Sequence, residues 1–234
     1  LRWEGEGTSL QFAAMRQEVD SRNNSVIALD PDTYRPLSGL SNRIHVDEPF
    51  RKEIDHFSFT VEHELGFADL VSSTSYADSH TANRGDVSLS YGEYPLAFLD
   101  ADPTLEPGSA YIDNRLGLSQ FTQELRLQSR SGGRLEWLVG GFYSNEDGDN
   151  YQYVALNRLD GSPLPAPWDG IIGVLGELVI PSSYEETAAF ANASYRFTDR
   201  FKLGAGLRFS RNDQEFQQNV VGGVLIPLGT QDNS

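Results

Sequence analysis

Cysteine is absent, which excludes disulfide frameworks, thiolate metal centres and cysteine nucleophiles. Basic residues are scarce: 18 Lys and Arg face 34 Asp and Glu, giving a net charge of −16. A chain this acidic has little with which to neutralise phosphates, so no nucleic acid is expected as a partner. Long hydrophobic runs are missing too. The most apolar stretches, Ile171 to Ile180 and Val220 to Leu228, fall well short of the ~20 residues of a membrane-spanning helix. The opening Leu1-Arg2-Trp3-Glu4 has neither an initiator Met nor the apolar core of a signal peptide. With the equally abrupt end at Gln231-Asp232-Asn233-Ser234, the expectation is a piece of a longer protein.

What is present is 22 Gly, 10 Tyr and 13 Phe among 234 residues, with only 38% hydrophobic residues. That balance suits an all-β chain in which every second residue is apolar. The clearest run is Ala189, Ala191, Ala193, Tyr195 and Phe197, alternating with Phe190, Asn192, Ser194 and Arg196. After Thr198-Asp199-Arg200, the residues Phe201, Leu203, Ala205, Leu207 and Phe209 alternate with Lys202, Gly204, Gly206, Arg208 and Ser210. Two period-2 runs across a tight polar connector predict an antiparallel hairpin. The pattern recurs around Ser131-Gly132-Gly133, around Leu65-Gly66-Phe67, and more faintly after Glu4-Gly5-Glu6-Gly7.

The other connections are long. Stretches of about 35 residues, 17–52, 82–118 and 147–183, hold most of the prolines, and such loops are uncommon inside compact domains. Tight turns alternating with long loops are the layout of outer-membrane barrels, with periplasmic turns short and extracellular loops long. Each run is roughly 12 residues, spanning ~28 Å at 45° tilt, close to a bilayer core. Trp3, Phe67, Trp137, Phe197 and Phe201 near the turns, and Tyr76, Tyr143 and Phe209 toward the loops, suggest two aromatic girdles. Leu203, Ala205 and Leu207 are expected to meet lipid; Lys202, Gly204, Gly206 and Arg208 are expected to face a lumen. The turns at Ser131-Gly132-Gly133 and Thr198-Asp199-Arg200 are expected on the periplasmic side, and Asp147 to Ser183 outside.

Chemistry-bearing patterns are sparse. His45, His56, His63 and His80 lack metal-ligand spacing; His56 and His63, seven apart, face opposite ways in one strand. Gly204-x-Gly206 lacks the third glycine of a dinucleotide loop. Asn145 to Asn150 has the look of a Ca²⁺ loop but no carboxylate at its twelfth position, and reads as a solvated acidic loop tip. The chain is therefore expected not to be an enzyme, with no catalytic, metal or cofactor residues. The stretches 82–117 and 147–183 each carry a net charge of −4. The same stretches hold Tyr91, Tyr94, Tyr151, Tyr153 and Trp168, which are candidates either to stack on a ligand or to pack the loops together.

The run Phe121-Thr122-Gln123-Glu124-Leu125-Arg126-Leu127, with Gly133-Arg134-Leu135-Glu136-Trp137-Leu138-Val139-Gly140-Gly141-Phe142-Tyr143, resembles the barrel of TonB-dependent outer-membrane receptors. Thr187 to Tyr195 and Leu207 to Ser210 are similar to it as well. The resemblance implies that 1–234 is a partial β-barrel domain without its plug. About seven or eight long antiparallel strands would form part of a transmembrane barrel of about 22 strands. It further implies outer-membrane localisation and TonB-energised uptake of a scarce nutrient such as an iron–siderophore, sugar or cobalamin-type ligand. The implied partners are outer-membrane lipid, the plug domain of the same polypeptide, TonB through the missing N-terminal part, and a small-molecule ligand. The pattern of alternation also fits a soluble secreted β-sandwich that binds carbohydrate, or a passive porin.

Overall fold

The computed structural model describes residues 1–23, 27, 29–37, 44–130, 132–225 and, as backbone, 230–232. Ser131 of one expected turn and residues 226–228 of the second apolar stretch lie outside the described residues. The strands are β1 (Arg2–Gly5), β2 (Thr8–Ser21), β3 (Phe50–Glu64), β4 (Ala68–Asp86), β5 (Gly108–Ser129), β6 (Leu135–Arg158), β7 (Val174–Thr198), β8 (Phe201–Gly222) and β9 (Thr230–Asp232). They form one antiparallel sheet in strict chain order, a meander in which every neighbour in sequence is a neighbour in space. Seven of the strands are long, as expected. Two short helices, α1 (Ser88–Tyr91) and α2 (Trp168–Ile172), and a 3₁₀ turn at Tyr94–Phe98 lie in the long connections.

The tight turns fall where the sequence put them. Gly66 and Gly132 adopt φ of +88° and +99°, a region open to glycine and strained for side chains with a Cβ. The long connections are shorter than expected. The strands run to 25 residues in β7 and 24 in β6, not the roughly 12 read from the alternation. The loops accordingly shrink to 22–49, 87–107 and 159–173. A 24-residue strand is about 80 Å long and, at 40° tilt, rises about 60 Å, twice the bilayer core. Half of each such strand therefore stands clear of the hydrocarbon.

The register explains why the alternation stopped early. Near the short turns, one face of the sheet carries Val61, Phe59 and Phe57 of β3, Leu127, Leu125 and Phe121 of β5, Val139 of β6, and Leu207 and Phe209 of β8. Toward the long loops the apolar residues change faces. Ile54 in β3, Leu118 and Leu116 in β5, Ile180 and Leu178 in β7 and Phe216 in β8 all point to the opposite side. No register shift intervenes; those present are at Val154/Ala155, Glu177/Leu178 and Arg196/Thr198. The backbone continues while the hydrophobic phase inverts.

The apolar band also crosses the sheet obliquely. Val61, the end of the band in β3 nearest the turn, lies in register through Ser72, Leu125, Gly141 and Ala189 with Phe209, the far end of the band in β8. A slip of six residues, about 20 Å, over five strand spacings, about 24 Å, corresponds to strands tilted by about 40°. That is the tilt of a closed transmembrane barrel, 35–45°. The band residues are exposed, Leu207 by 77% and Phe209 by 75%, as a lipid-facing surface requires. Aromatic contacts mark both of its edges: Phe121 meets Tyr143 at 6.4 Å, and Phe197 meets Tyr195 at 4.9 Å and Phe201 at 5.6 Å.

Candidate functional site

The face opposite the band is the inner wall, and it has two zones. Around the turn-proximal half, charges pair across strands. Arg208 of β8 bonds Glu186 of β7 at 2.8 Å and lies over the rings of Phe142 and Phe190. Lys202 bonds Glu136, and Arg126 lies 3.4 Å from Glu124 with its Nε buried and unpartnered among the described residues. Lys202 and Arg208 stand on the inner wall because they alternate with Leu203, Leu207 and Phe209 of the band, and their partners Glu136 and Glu186 share that face. Phe190 lies over Gly140, where an added Cβ would come within 2.5 Å of the ring, so the glycine makes room for the aromatic. Farther up, small hydroxyl residues line the wall, with Thr60 3.3 Å from Ser73 and Ser75 2.5 Å from Thr122.

Above these the inner wall carries little charge. In register across β4 to β7 stand Thr81, Leu116, Asn150 and Ile180, and above them Asn83, Asn114, Gln152 and Leu178. The outer wall at the same height is crowded with ions. Arg16 bonds Glu18 and Asp55, Arg51 pairs with Glu53, and Arg84 grips Asp113 bidentately at 2.7 and 2.8 Å while stacking on Tyr111.

The loops 87–107 and 159–173 close over the top of this inner wall as one packed unit. Its core is Leu105, Ala110, Leu156, Leu164, Trp168, Ile172 and Leu175, with Tyr91, Tyr94, Phe98, Val87 and Val154 packed against it. Leu156, Ile172 and Leu175 are fully buried, each contributing about 1.5–3 kcal/mol by leaving water. Trp168 Nε1 donates to Asp102 Oδ2 at 2.9 Å, and its ring meets Phe98 at 5.3 Å. The Thr104 hydroxyl and backbone N–H also donate to Asp102, and with Trp168 they hold its carboxyl below the usual range.

The five aromatic candidates separate accordingly. Trp168, 9% exposed, holds the two loops together, and Tyr91 and Tyr94 pack half-buried on the same core. Tyr151 and Tyr153 are not in a loop, as expected from sequence, but in β6, facing outward. Tyr151 donates to Glu177 at 2.9 Å beneath the Arg115 guanidinium, and Tyr153 lies 6.5 Å from Tyr111. Asn145 to Asn150, read as a loop tip, is likewise inside β6; Glu146 stands on the inner wall, and Asp147 and Asp149 on the outer one. Among the described residues no group of three His, Asp or Glu side chains could hold a metal. The neutral inner wall at Asn114, Leu116, Asn150 and Gln152 is hidden in the sequence, because its apolar residues are out of phase with the band; the carboxamides at alternate positions, as at Asn150 and Gln152, are its only signal.

No curated protein matches the chain. The ferric yersiniabactin uptake receptor FyuA from Yersinia pestis is structurally similar, with a TM-score of 0.65 at 15% identity over 97% of this chain. The chain spans 31% of that receptor's length. The model of the TonB dependent receptor-like β-barrel matches residues 3–234. With this match over nearly all its length, the chain belongs to the TonB-dependent receptor β-barrel family.

Proposed function

We propose that this chain forms part of the wall of an outer-membrane receptor that takes up a scarce nutrient with energy from TonB. The observation that carries the reading is the two-zone wall. Its lower part presents apolar residues to lipid and paired charges to the lumen, and its upper part rises clear of the bilayer beneath a folded roof. The charged lower lumen suits a plug domain of the same polypeptide, seated against Glu124, Arg126, Glu136, Glu186, Lys202 and Arg208. The upper vestibule suits a small-molecule ligand arriving from outside, before a plug passes it inward. FyuA is a ferric yersiniabactin uptake receptor; an iron chelate is one ligand class for this receptor. The role is transport, not catalysis.

The test uses the full-length receptor in its native cells. A tag inserted beside Gly161, in the turn between β6 and α2, should be reached by antibody on intact cells, and uptake of the nutrient should cease when TonB is deleted. Labelling only after permeabilisation, or uptake indifferent to TonB, would overturn the proposal.

A further inference from the structure

We infer that the upper inner wall of β5 to β7 is a contact face for an uncharged, amphipathic part of the ligand, one with apolar surface bordered by amide or hydroxyl groups. The inference rests on the uptake reading and names the ligand chemistry at that same site. Three apolar side chains, Leu116, Leu118 and Ile180, alternate in register with the carboxamides of Asn114, Asn150 and Gln152. Leu116 is 44% exposed and the three carboxamides are half-buried, so the face is open. Carboxamides donate and accept without charge, and they suit neutral polar groups set beside apolar ones.

The distribution of charge carries the point. On the inner wall of β2 to β8, from the level of Gln120 up to that of Asn114, Lys52 and Glu146 are the only Asp, Glu, Lys or Arg among the described residues. Lys52 is separated from Leu116 by Thr81, and Glu146 already accepts from Gln120 at 3.2 Å. The outer wall at the same height carries Arg, Asp or Glu on β2 to β6 and on β8, so these strands are not short of charge; the charge is kept on the far side. An anion brought to this face would lose water without gaining a counter-ion. It would also approach past acidic loops, which repel it at long range. A cation would meet the same lack of partners at the wall itself.

The experiment places one cysteine in this cysteine-free segment, as Leu116→Cys, in the full-length receptor on intact cells, with other native cysteines of the receptor replaced. Three maleimides of like size serve as probes: one neutral, one sulfonated and anionic, one bearing trimethylammonium. Each rate is divided by that at an exposed control, Leu89→Cys in α1. The neutral probe should react at Leu116→Cys about 10-fold faster than the anionic one and several-fold faster than the cationic one. A second variant adds Asn150→Asp, which should slow the anionic probe further and bring the cationic one level with the neutral. Heat-modifiable gel mobility confirms that each variant is folded. Equal or faster reaction of either charged probe with Leu116→Cys would overturn the inference and leave the uptake reading standing. The same holds if no probe reacts there while Leu89→Cys does. Reaction at both positions only after permeabilisation would remove the uptake reading and this inference together.

Discussion

Within a single long strand, the half inside the apolar band and the half above it use their faces in opposite ways. In β5, Leu125 and Phe121 point outward and Glu124 inward; eight residues on, Arg115 and Asp113 point outward and Leu116 and Asn114 inward. The same backbone and pleat run through both. What changes is the solvent on the outer side. Hydrocarbon penalises charge and leaves apolar side chains at no cost, so below the boundary ions go to the lumen. Above it, water and lipid headgroups take the ions, and apolar residues turn in toward the vestibule and its roof. A barrel wall is thus two sheets of opposite polarity joined end to end without a break in hydrogen bonding.

Trp168→Ala tests the upper half most severely. It removes the centre of the roof and the donor to Asp102, and truncation of a buried aromatic costs about 3–5 kcal/mol. The roof should loosen, with loops 87–107 and 159–173 cut by protease in intact cells while the barrel keeps its heat-modifiable mobility. Protection equal to wild type would mean that the loops do not depend on the packing that covers the inward apolar residues.

The two halves can be compared directly on one face of one strand. Ala205→Arg puts a charge in the band and should cost about 2–4 kcal/mol of folding free energy in bilayers. Glu215→Arg, ten residues up the same outer face, should fall within about 0.5 kcal/mol of wild type. Gly206→Arg, turned to the lumen, should be milder than Ala205→Arg, because its Cβ meets Asn192 Cβ at 3.2 Å, a contact that yields with a small shift. Equal cost at positions 205 and 215 would abolish the boundary between the halves.

A smaller effect belongs to the outer ions. Arg84→Ala breaks a bidentate pair with Asp113 that is about one-third exposed; after allowance for screening it should cost about 0.5–1 kcal/mol. High salt should erase most of the difference in unfolding midpoint between wild type and variant. A salt-insensitive loss would mean that Arg84 acts through its stacking on Tyr111 instead.

The smallest effect is on pH. The folded Asp102 carboxyl titrates below its ordinary value of 3.8. The stabilisation it brings is therefore complete above that value and fades as pH falls through the lowered one. Protease sensitivity of the roof should be flat from neutral pH to about 4.5 and rise only in stronger acid. Asp102→Asn should remove the acid-induced component and leave the Trp168 packing. Loosening already near pH 6 would point to some other group.

How much of this was legible beforehand depended on the solvent each segment meets. Where hydrocarbon dictates the pattern, the reading was nearly complete. The alternation of Ala189 to Phe197 and Leu203 to Phe209, their tight turn and their outward face all appear in β7 and β8 as expected. Above the band the same rule misled, because Leu118, Leu116 and Ile180 are out of phase with Leu125 and Ala189. One continuous apolar face ends there, so alternation alone places Tyr151, Tyr153 and Asn145 to Asn150 in loops. Trp168 was recognised as a candidate, but whether it awaited a ligand or held Asp102 and Phe98 could not follow from one sequence. Its partners lie 66 and 70 residues away.

Period, turn chemistry and charge balance are local quantities, and they sufficed for an antiparallel wall with a lipid-facing band. Three features are relations between strands distant in sequence: the tilt, the inversion of the wall above the bilayer, and the joining of two loops into one roof. Cross-strand register and the change of solvent along the barrel axis decide them, and neither is written in the alternation of any one strand.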